Sequence, residues 1–191
     1  TKIMNLLIKS YKLEKKKCKL VPNYVIKKNW TPSYNVKSKN TRFIYFGRLS
    51  PEKNIKNFII ACKNLHVDVT IIGQGNQLDD LKRTSKINNV KTLFIETVPQ
   101  KKLKKFLNVN DFFFLPSIYE GTPKSLIESL AYGIPSIVNE FDGIHDIVNK
   151  NLVVMCQSSV QSIRSKIKEC LKMKKSKKLS YSKLSRKFIL E

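Results

Sequence analysis

Acidic residues are scarce in this chain. Fourteen Asp and Glu stand against 37 Lys and Arg in 191 residues, a formal net charge of +23. Arginine is scarcer still among the cations, supplying five of the 37. Proteins that read base edges favour the arginine fork, so a charge made almost wholly of lysine argues against nucleic acid as the partner. Two readings of the charge remain. One is attraction to an anionic membrane surface; the other is compositional drift toward Lys, Asn and Ile over a solvated exterior. No apolar run approaches the ~20 residues that cross a bilayer as a helix. Runs such as Phe112-Phe113-Phe114-Leu115 are strand-sized. No secretory leader pattern is read, which makes the cytoplasm the expected location, with the inner membrane face as a peripheral place. None of Cys18, Cys62, Cys156 and Cys170 stands in a Cys-x-x-Cys pair, which argues against zinc and for reduced thiols, with Cys62 in the core. His66 and His145 are the two histidines, and both read as structural or surface groups. The chain starts at Thr1, as a processed chain, a trimmed one or a fragment would.

What is present is a globular apolar content of 41% in a length sufficient for one core. Short apolar runs at 42–46, 67–72, 91–95, 111–115, 135–139 and 152–155 read as strands. Most are continuous, as in strands buried on both faces of a parallel sheet. Helical patterns fall between them at 52–65, 76–85, 100–109, 123–132 and 143–150. In the first, Ile55, Phe58, Ile59, Cys62 and Leu65 recur at three and four residues and form one stripe. The alternation predicts a doubly wound, Rossmann-like α/β sheet, whose ligands bind beyond the carboxyl ends of the strands. The flanks differ. Residues 4–11 look helical, a lysine run follows, and a polar segment through Pro32, Ser33, Asn35, Ser38 and Asn40 reads as a linker. From Ser158 onward the chain reads as basic helices.

Two constellations sit where such a sheet binds ligands. Gly47-Arg48-Leu49-Ser50-Pro51-Glu52-Lys53 follows a strand and opens a helix. Ser50 is expected to cap that helix and Pro51 to start it. Arg48 and Lys53 then meet a helix N-terminus, a combination suited to a diphosphate, although two solvated cations would look the same. The second is Glu120-Gly121-Thr122-Pro123-Lys124-Ser125-Leu126-Ile127-Glu128. Thr122 reads as the cap, Pro123 as the first helical residue, and Leu126, Ile127, Leu130 and Ala131 as the packed face, with Glu128 pointing away beside Lys124. Two carboxylates beside a phosphate-holding helix end suit the hydroxyls of a sugar and a ribose. An i, i+4 ion pair for Glu128 and an ordinary loop carboxylate for Glu120 are the plain alternatives.

The spacing of Glu120 and Glu128 inside Pro-Ser-Ile-Tyr-Glu-Gly-Thr-Pro-Lys-Ser-Leu-Ile-Glu-Ser-Leu-Ala-Tyr-Gly-Ile-Pro resembles the signature of the family 4 retaining glycosyltransferases, which have the two-domain GT-B fold. Phe-Gly-Arg-Leu-Ser-Pro-Glu-Lys resembles that family's phosphate loop, and Ile71-Ile72-Gly73-Gln74-Gly75 its strand-end glycine pair. Asp142-Gly143-Ile144-His145-Asp146-Ile147-Val148 and Val21-Pro22-Asn23 resemble further segments, so the likeness spans residues 20 to 150 in order. It implies the donor-binding, C-terminal half of such an enzyme over residues 41–191. Residues 1–40 would be the tail of an absent N-terminal acceptor domain plus the linker. It implies a nucleoside-diphosphate sugar as donor, a UDP-sugar foremost, a glycan or lipid-linked acceptor in capsule or lipopolysaccharide assembly, and neither cofactor nor metal. By the same resemblance Arg48 and Lys53 neutralise the diphosphate. Glu120 contacts the sugar, and Glu128 holds the ribose. Thr122, Lys124 and Ser125 lie at the phosphate, and Val98 lies near the base. No Asp-x-Asp stands at a strand end; Asp79-Asp80 fall inside a predicted helix.

There are departures from the pattern. Thr122-Pro123 stands where many members have Phe-Gly, Glu96 where Gly is usual, and His145 where Pro is common. A dinucleotide site is a poor fit, because the third glycine it needs would fall at Leu78. The rival readings are a sugar-nucleotide-binding module without catalysis and a basic nucleic-acid-binding protein.

Overall fold

The computed structural model describes residues 2–19 and 40–190. The predicted linker, apart from Asn40, and the Val21-Pro22-Asn23 segment lie outside the described residues. Six strands, β1 (Thr41–Phe46), β2 (Val67–Ile72), β3 (Lys91–Ile95), β4 (Phe112–Leu115), β5 (Ser136–Asn139) and β6 (Val154–Cys156), form one sheet. Its order is β3-β2-β1-β4-β5-β6 and every pairing is parallel. The chain winds outward from β1 to β3, returns to β4 beside β1, and winds outward again. The predicted doubly wound sheet is therefore the observed one, and its switch point lies between β1 and β4.

The central strands carry the core. Phe43, Ile44, Phe112, Phe113 and Phe114 have no exposed surface. Phe43 stacks on Phe112 with ring centroids 5.4 Å apart, and Phe58 lies flat on Phe114 at 3.6 Å. Each such side chain contributes about 2–3 kcal/mol by leaving water. The edge strand β3 has a half-exposed Leu93, since only one neighbour covers it.

The helices are α1 (Lys2–Ser10), α2 (Ile55–Ala61), α3 (Leu78–Ile87), α4 (Gln100–Val109), α5 (Lys124–Tyr132), α6 (Val160–Leu171) and α7 (Lys175–Leu190). α2, α3 and α6 pack together on one face of the sheet, and α7 packs against α5 on the other. α6 starts at Ser159, whose side chain accepts the Ser162 N–H at 3.3 Å. Gly133 ends α5 at φ +85°, and a Cβ there would come within 2.6 Å of Ser182 Oγ on α7.

Three expectations are corrected. The helix read over 52–65 is a 3-10 turn, Pro51–Lys53, followed by α2, because Asn54 adopts a left-handed conformation at φ 53°. Asn tolerates that region, and it interrupts the helical ladder. The helix read over 143–150 is two 3-10 turns, Ile144–Asp146 and Lys150–Leu152, in a stretch rich in β-branched residues and Asn. Leu152 belongs to the second turn, so β6 starts two residues later than the apolar run suggests.

Candidate functional site

Three loops leave the carboxyl ends of β1, β2 and β3 with their ladder unbroken. Gly47 N–H donates to Ile72 carbonyl at 3.0 Å, Leu49 N–H to Gln74 carbonyl at 2.9 Å, and Gly73 N–H to Ile95 carbonyl at 2.9 Å. The loops touch so closely that only glycine fits at two positions. A Cβ on Gly73 would lie 1.8 Å from the Gly47 carbonyl oxygen, and one on Gly75 would lie 2.1 Å from that of Leu49. Both glycines have φ near +155°, a region that L side chains avoid. The strand-end glycine pair thus has a steric cause. These loops line an open cleft of about 310 Å³ walled by Gly47, Arg48, Gly73, Gln74, Glu96, Thr97 and Val98, with Phe46 and Leu103 among its apolar residues.

At the switch point the loop after β1 meets the loop after β4. Lys53 Nζ donates to both carboxylate oxygens of Glu120, at 2.8 and 2.9 Å. Ser117 Oγ donates to Glu120 Oε1 at 2.7 Å, and Ile118 N–H donates to Glu52 carbonyl at 2.8 Å. The ion pair is largely withdrawn from water, its side chains being 16% and 10% exposed. It is therefore screened far less than a surface pair. Tyr45 Oη donates to the Arg48 carbonyl at 2.8 Å and so fixes the backbone that carries the guanidinium. Burial first, then the nearby Glu120 and Glu52, pushes the Tyr45 phenol far above its ordinary range, so it stays a neutral donor.

The second loop leads into α5. Pro123, not Thr122, is the cap, and α5 begins at Lys124; Thr122 lies exposed one residue earlier. Proline has no N–H to give and its fixed φ still leads into the helix, which moves the start one residue on. Ser50 likewise does not cap: its hydroxyl turns to Glu52 and holds that carboxyl below its ordinary range. The Leu126 and Ile127 N–H groups go to the Pro123 carbonyl at 3.0 and 3.2 Å. The N–H groups of Lys124 and Ser125 precede them in the first turn, where a helix has no internal acceptors. Glu128 stands beside Lys124 as expected, at 4.0 Å, but it is buried rather than turned out to solvent. Gln100 at the start of α4 reaches across and donates to it at 3.1 Å. Burial pushes the Glu128 carboxyl above its ordinary value, partly offset by Lys124 and Gln100.

The fold thus joins Lys53 to Glu120 and Lys124 to Glu128, and it places Arg48 and Val98 on the wall of one cleft. Ser117, Gln100 and Tyr45 were not singled out from the sequence. Ser117 lies inside the quoted signature, and nothing local marks the other two. His66 and His145 are exposed, His145 lying 3.3 Å from Glu140. Cys62, Cys156 and Cys170 are buried free thiols, and burial raises each above its ordinary range. Among the described residues no three His, Cys, Asp or Glu side chains cluster as a metal site would require, and no helix is long and apolar enough to cross a membrane.

An open parallel sheet wound from its centre, with a cleft among the loops after β1, β2 and β3 and a cation–carboxylate pair at its switch point, defines a domain of the doubly wound α/β class. The chain belongs to the family described as Glycosyl transferases group 1, whose sequence profile matches residues 26–187. It is 29% identical over 159 residues to the Escherichia coli UDP-Gal:alpha-D-GlcNAc-diphosphoundecaprenol alpha-1,3-galactosyltransferase, covering 74% of this chain and 41% of that protein. The chain therefore spans about two-fifths of that relative's length. Among solved structures, the C-terminal domain of a group 1 glycosyl transferase (LpcC) from Francisella tularensis superposes with TM-score 0.69 at 17% identity, over 84% of this chain and 94% of that one. WaaG, a glycosyltransferase involved in lipopolysaccharide biosynthesis, superposes with TM-score 0.78 at 13% identity, over 95% of this chain and 54% of that one. The architecture is that of the C-terminal half of GT-B glycosyltransferases.

Proposed function

We propose that this chain is the donor-binding half of a glycosyltransferase that takes a nucleoside-diphosphate sugar, foremost a UDP-sugar. The observation that carries the reading is the Lys53–Glu120 pair, which joins the loops after β1 and β4 at the switch point. A diphosphate entering there would meet Lys53, Arg48 and the first N–H groups of α5 at Lys124 and Ser125, with Thr122 at the loop's turn. The base would lie toward Val98, Glu128 would accept from the ribose hydroxyls, and Glu120 from those of the sugar. Breaking the bond between the anomeric carbon and the phosphate oxygen leaves a nucleoside diphosphate with added negative charge. Fixed cations and a helix end stabilise that charge as it grows, with no metal required. The sugar would pass with retention to a hydroxyl of a glycan or lipid-linked acceptor bound by a further, N-terminal domain. The E. coli relative's name, with its UDP-Gal donor and undecaprenol-linked acceptor, supports both halves of the reading. The lysine excess supports a cytoplasmic place against the anionic inner face of the membrane. Sedimentation with phosphatidylglycerol vesicles but not phosphatidylcholine ones, lost at high salt, is the expected sign.

Calorimetric titration of the chain with UDP and GDP, beside Lys53→Ala, tests the donor site. The expected result is binding that the variant weakens roughly tenfold or more, about 1.4 kcal/mol. A folded chain that binds no nucleotide overturns the reading. In the full-length protein, transfer that survives EDTA and gives a product of unchanged anomeric configuration would establish the metal-free, retaining step.

A further inference from the structure

We propose that Ser117 and Asn139 are positioning residues that hold Glu120 where it meets the donor sugar; the inference rests on the donor reading above. Lys53 donates to both Glu120 oxygens. An arriving diphosphate would compete for that ammonium, so Lys53 cannot by itself keep the carboxylate in place once donor is bound. Ser117 can. It has no exposed surface, and its hydroxyl donates to Glu120 Oε1 at 2.7 Å, independently of Lys53.

The backbone at Ser117 is tied from two sides. Asn139, the last residue of β5, donates from Nδ2 to the Ser117 carbonyl at 2.8 Å. The next N–H, that of Ile118, donates to the Glu52 carbonyl at 2.8 Å. The hydroxyl is thereby fixed against β5 on one side and the loop after β1 on the other. Asn139 is 2% exposed, and its Oδ1 has no partner among the described residues. A buried acceptor left unmade is unfavourable, a cost carried beside the bond that Nδ2 gives the Ser117 carbonyl. Among the described residues, the bond to Ser117 is the one the amide makes. A local rule broken beside a binding site is where a functional constraint is expected.

The test is calorimetry of the chain and of Ser117→Ala with UDP and with UDP-galactose. UDP reads the diphosphate contacts, and the difference between the two ligands reads the sugar contacts. Ser117→Ala should bind UDP within about twofold of the unaltered chain, yet lose about fivefold of the affinity that the sugar adds. Ser117→Thr, which keeps the hydroxyl, should recover most of that loss. An unchanged sugar contribution in Ser117→Ala overturns the inference while the donor reading stands. So does equal weakening of both ligands that threonine does not restore, which is the mark of a merely structural role. An unaltered chain that binds neither ligand overturns the donor reading and this inference with it.

Discussion

The two walls at the carboxyl end of the sheet are built differently. The inner wall, at the switch point, is closed: the Lys53–Glu120 pair is nearly buried, Ser117 completes the carboxylate's bonding, and Gly73 and Gly75 press their loop against the loop after β1. The outer wall is loose. Gln74 reaches Glu96 at 3.4 Å, and both are exposed. Groups that must meet a developing charge act best when already oriented, since reorienting them would raise the barrier. Groups that select a base or a sugar can adjust on binding. The inner wall should therefore be intolerant of change and the outer wall permissive.

The largest effect is expected where backbone packs on backbone. Gly73→Ala puts a Cβ 1.8 Å from the Gly47 oxygen at a φ of +154°, and the neighbour is main chain that cannot rotate away. The expected loss is about 3–5 kcal/mol, read from the midpoint of urea unfolding. Gly121→Ala is the matched control. A Cβ there has nothing within 4 Å, and its stability should stay within about 0.5 kcal/mol. Equal effects at the two glycines would mean that the backbone contact at Gly73 is not what makes its loop rigid.

How much of this was legible in the sequence follows from the same contrast. The central strands could be read because burial on both faces writes a continuous apolar run, as in β4, and β2 and the edge strand β3 also fall residue for residue where the pattern places them. The winding followed from the alternation of strands and helices. The boundaries failed where a single residue's conformation decided them, as at Asn54, or where Pro123 moved a cap. Glu120 and Glu128 stood out by their spacing. Lys53 stood out as a cation, but its pairing with Glu120 did not, nor did Gln100, because Lys53 lies 67 residues from Glu120 and Gln100 lies 28 from Glu128, and only the fold brings them together.

A middle-sized effect separates the two cations. Lys53→Ala leaves a nearly buried carboxylate with Ser117 as its remaining recorded donor. Thermal or urea unfolding should show a loss of about 1–3 kcal/mol. Arg48 is exposed, and no ion pair is recorded for it among the described residues. Arg48→Ala should change stability by less than about 0.5 kcal/mol. Both variants should weaken nucleotide binding. If Arg48→Ala proves the more destabilising, the cation load is arranged otherwise than the contacts indicate.

The smallest effect has the most informative sign. Unfolded, Glu128 titrates near its ordinary 4.5; folded, burial raises it. Between the two values the folded chain holds a proton that the unfolded chain has lost, so stability falls as pH rises through that window. Above the window the buried charge is a standing penalty; below 4.5 both states are protonated and the penalty is gone. Glu128→Gln removes the charge, keeps an acceptor for Gln100 and leaves behind only the exposed ammonium of Lys124. The variant should therefore melt higher than the unaltered chain at neutral pH, and the advantage should vanish as the pH falls below 4.5. Its nucleotide affinity should drop at the same time, because an ionised carboxylate accepts from two ribose hydroxyls more strongly than an amide oxygen does. Opposite movements of melting temperature and affinity would mark Glu128 as kept for binding at a cost in stability. A variant that melts lower at neutral pH would instead mean that the Lys124 pair outweighs burial, and that Glu128 is held there for the fold.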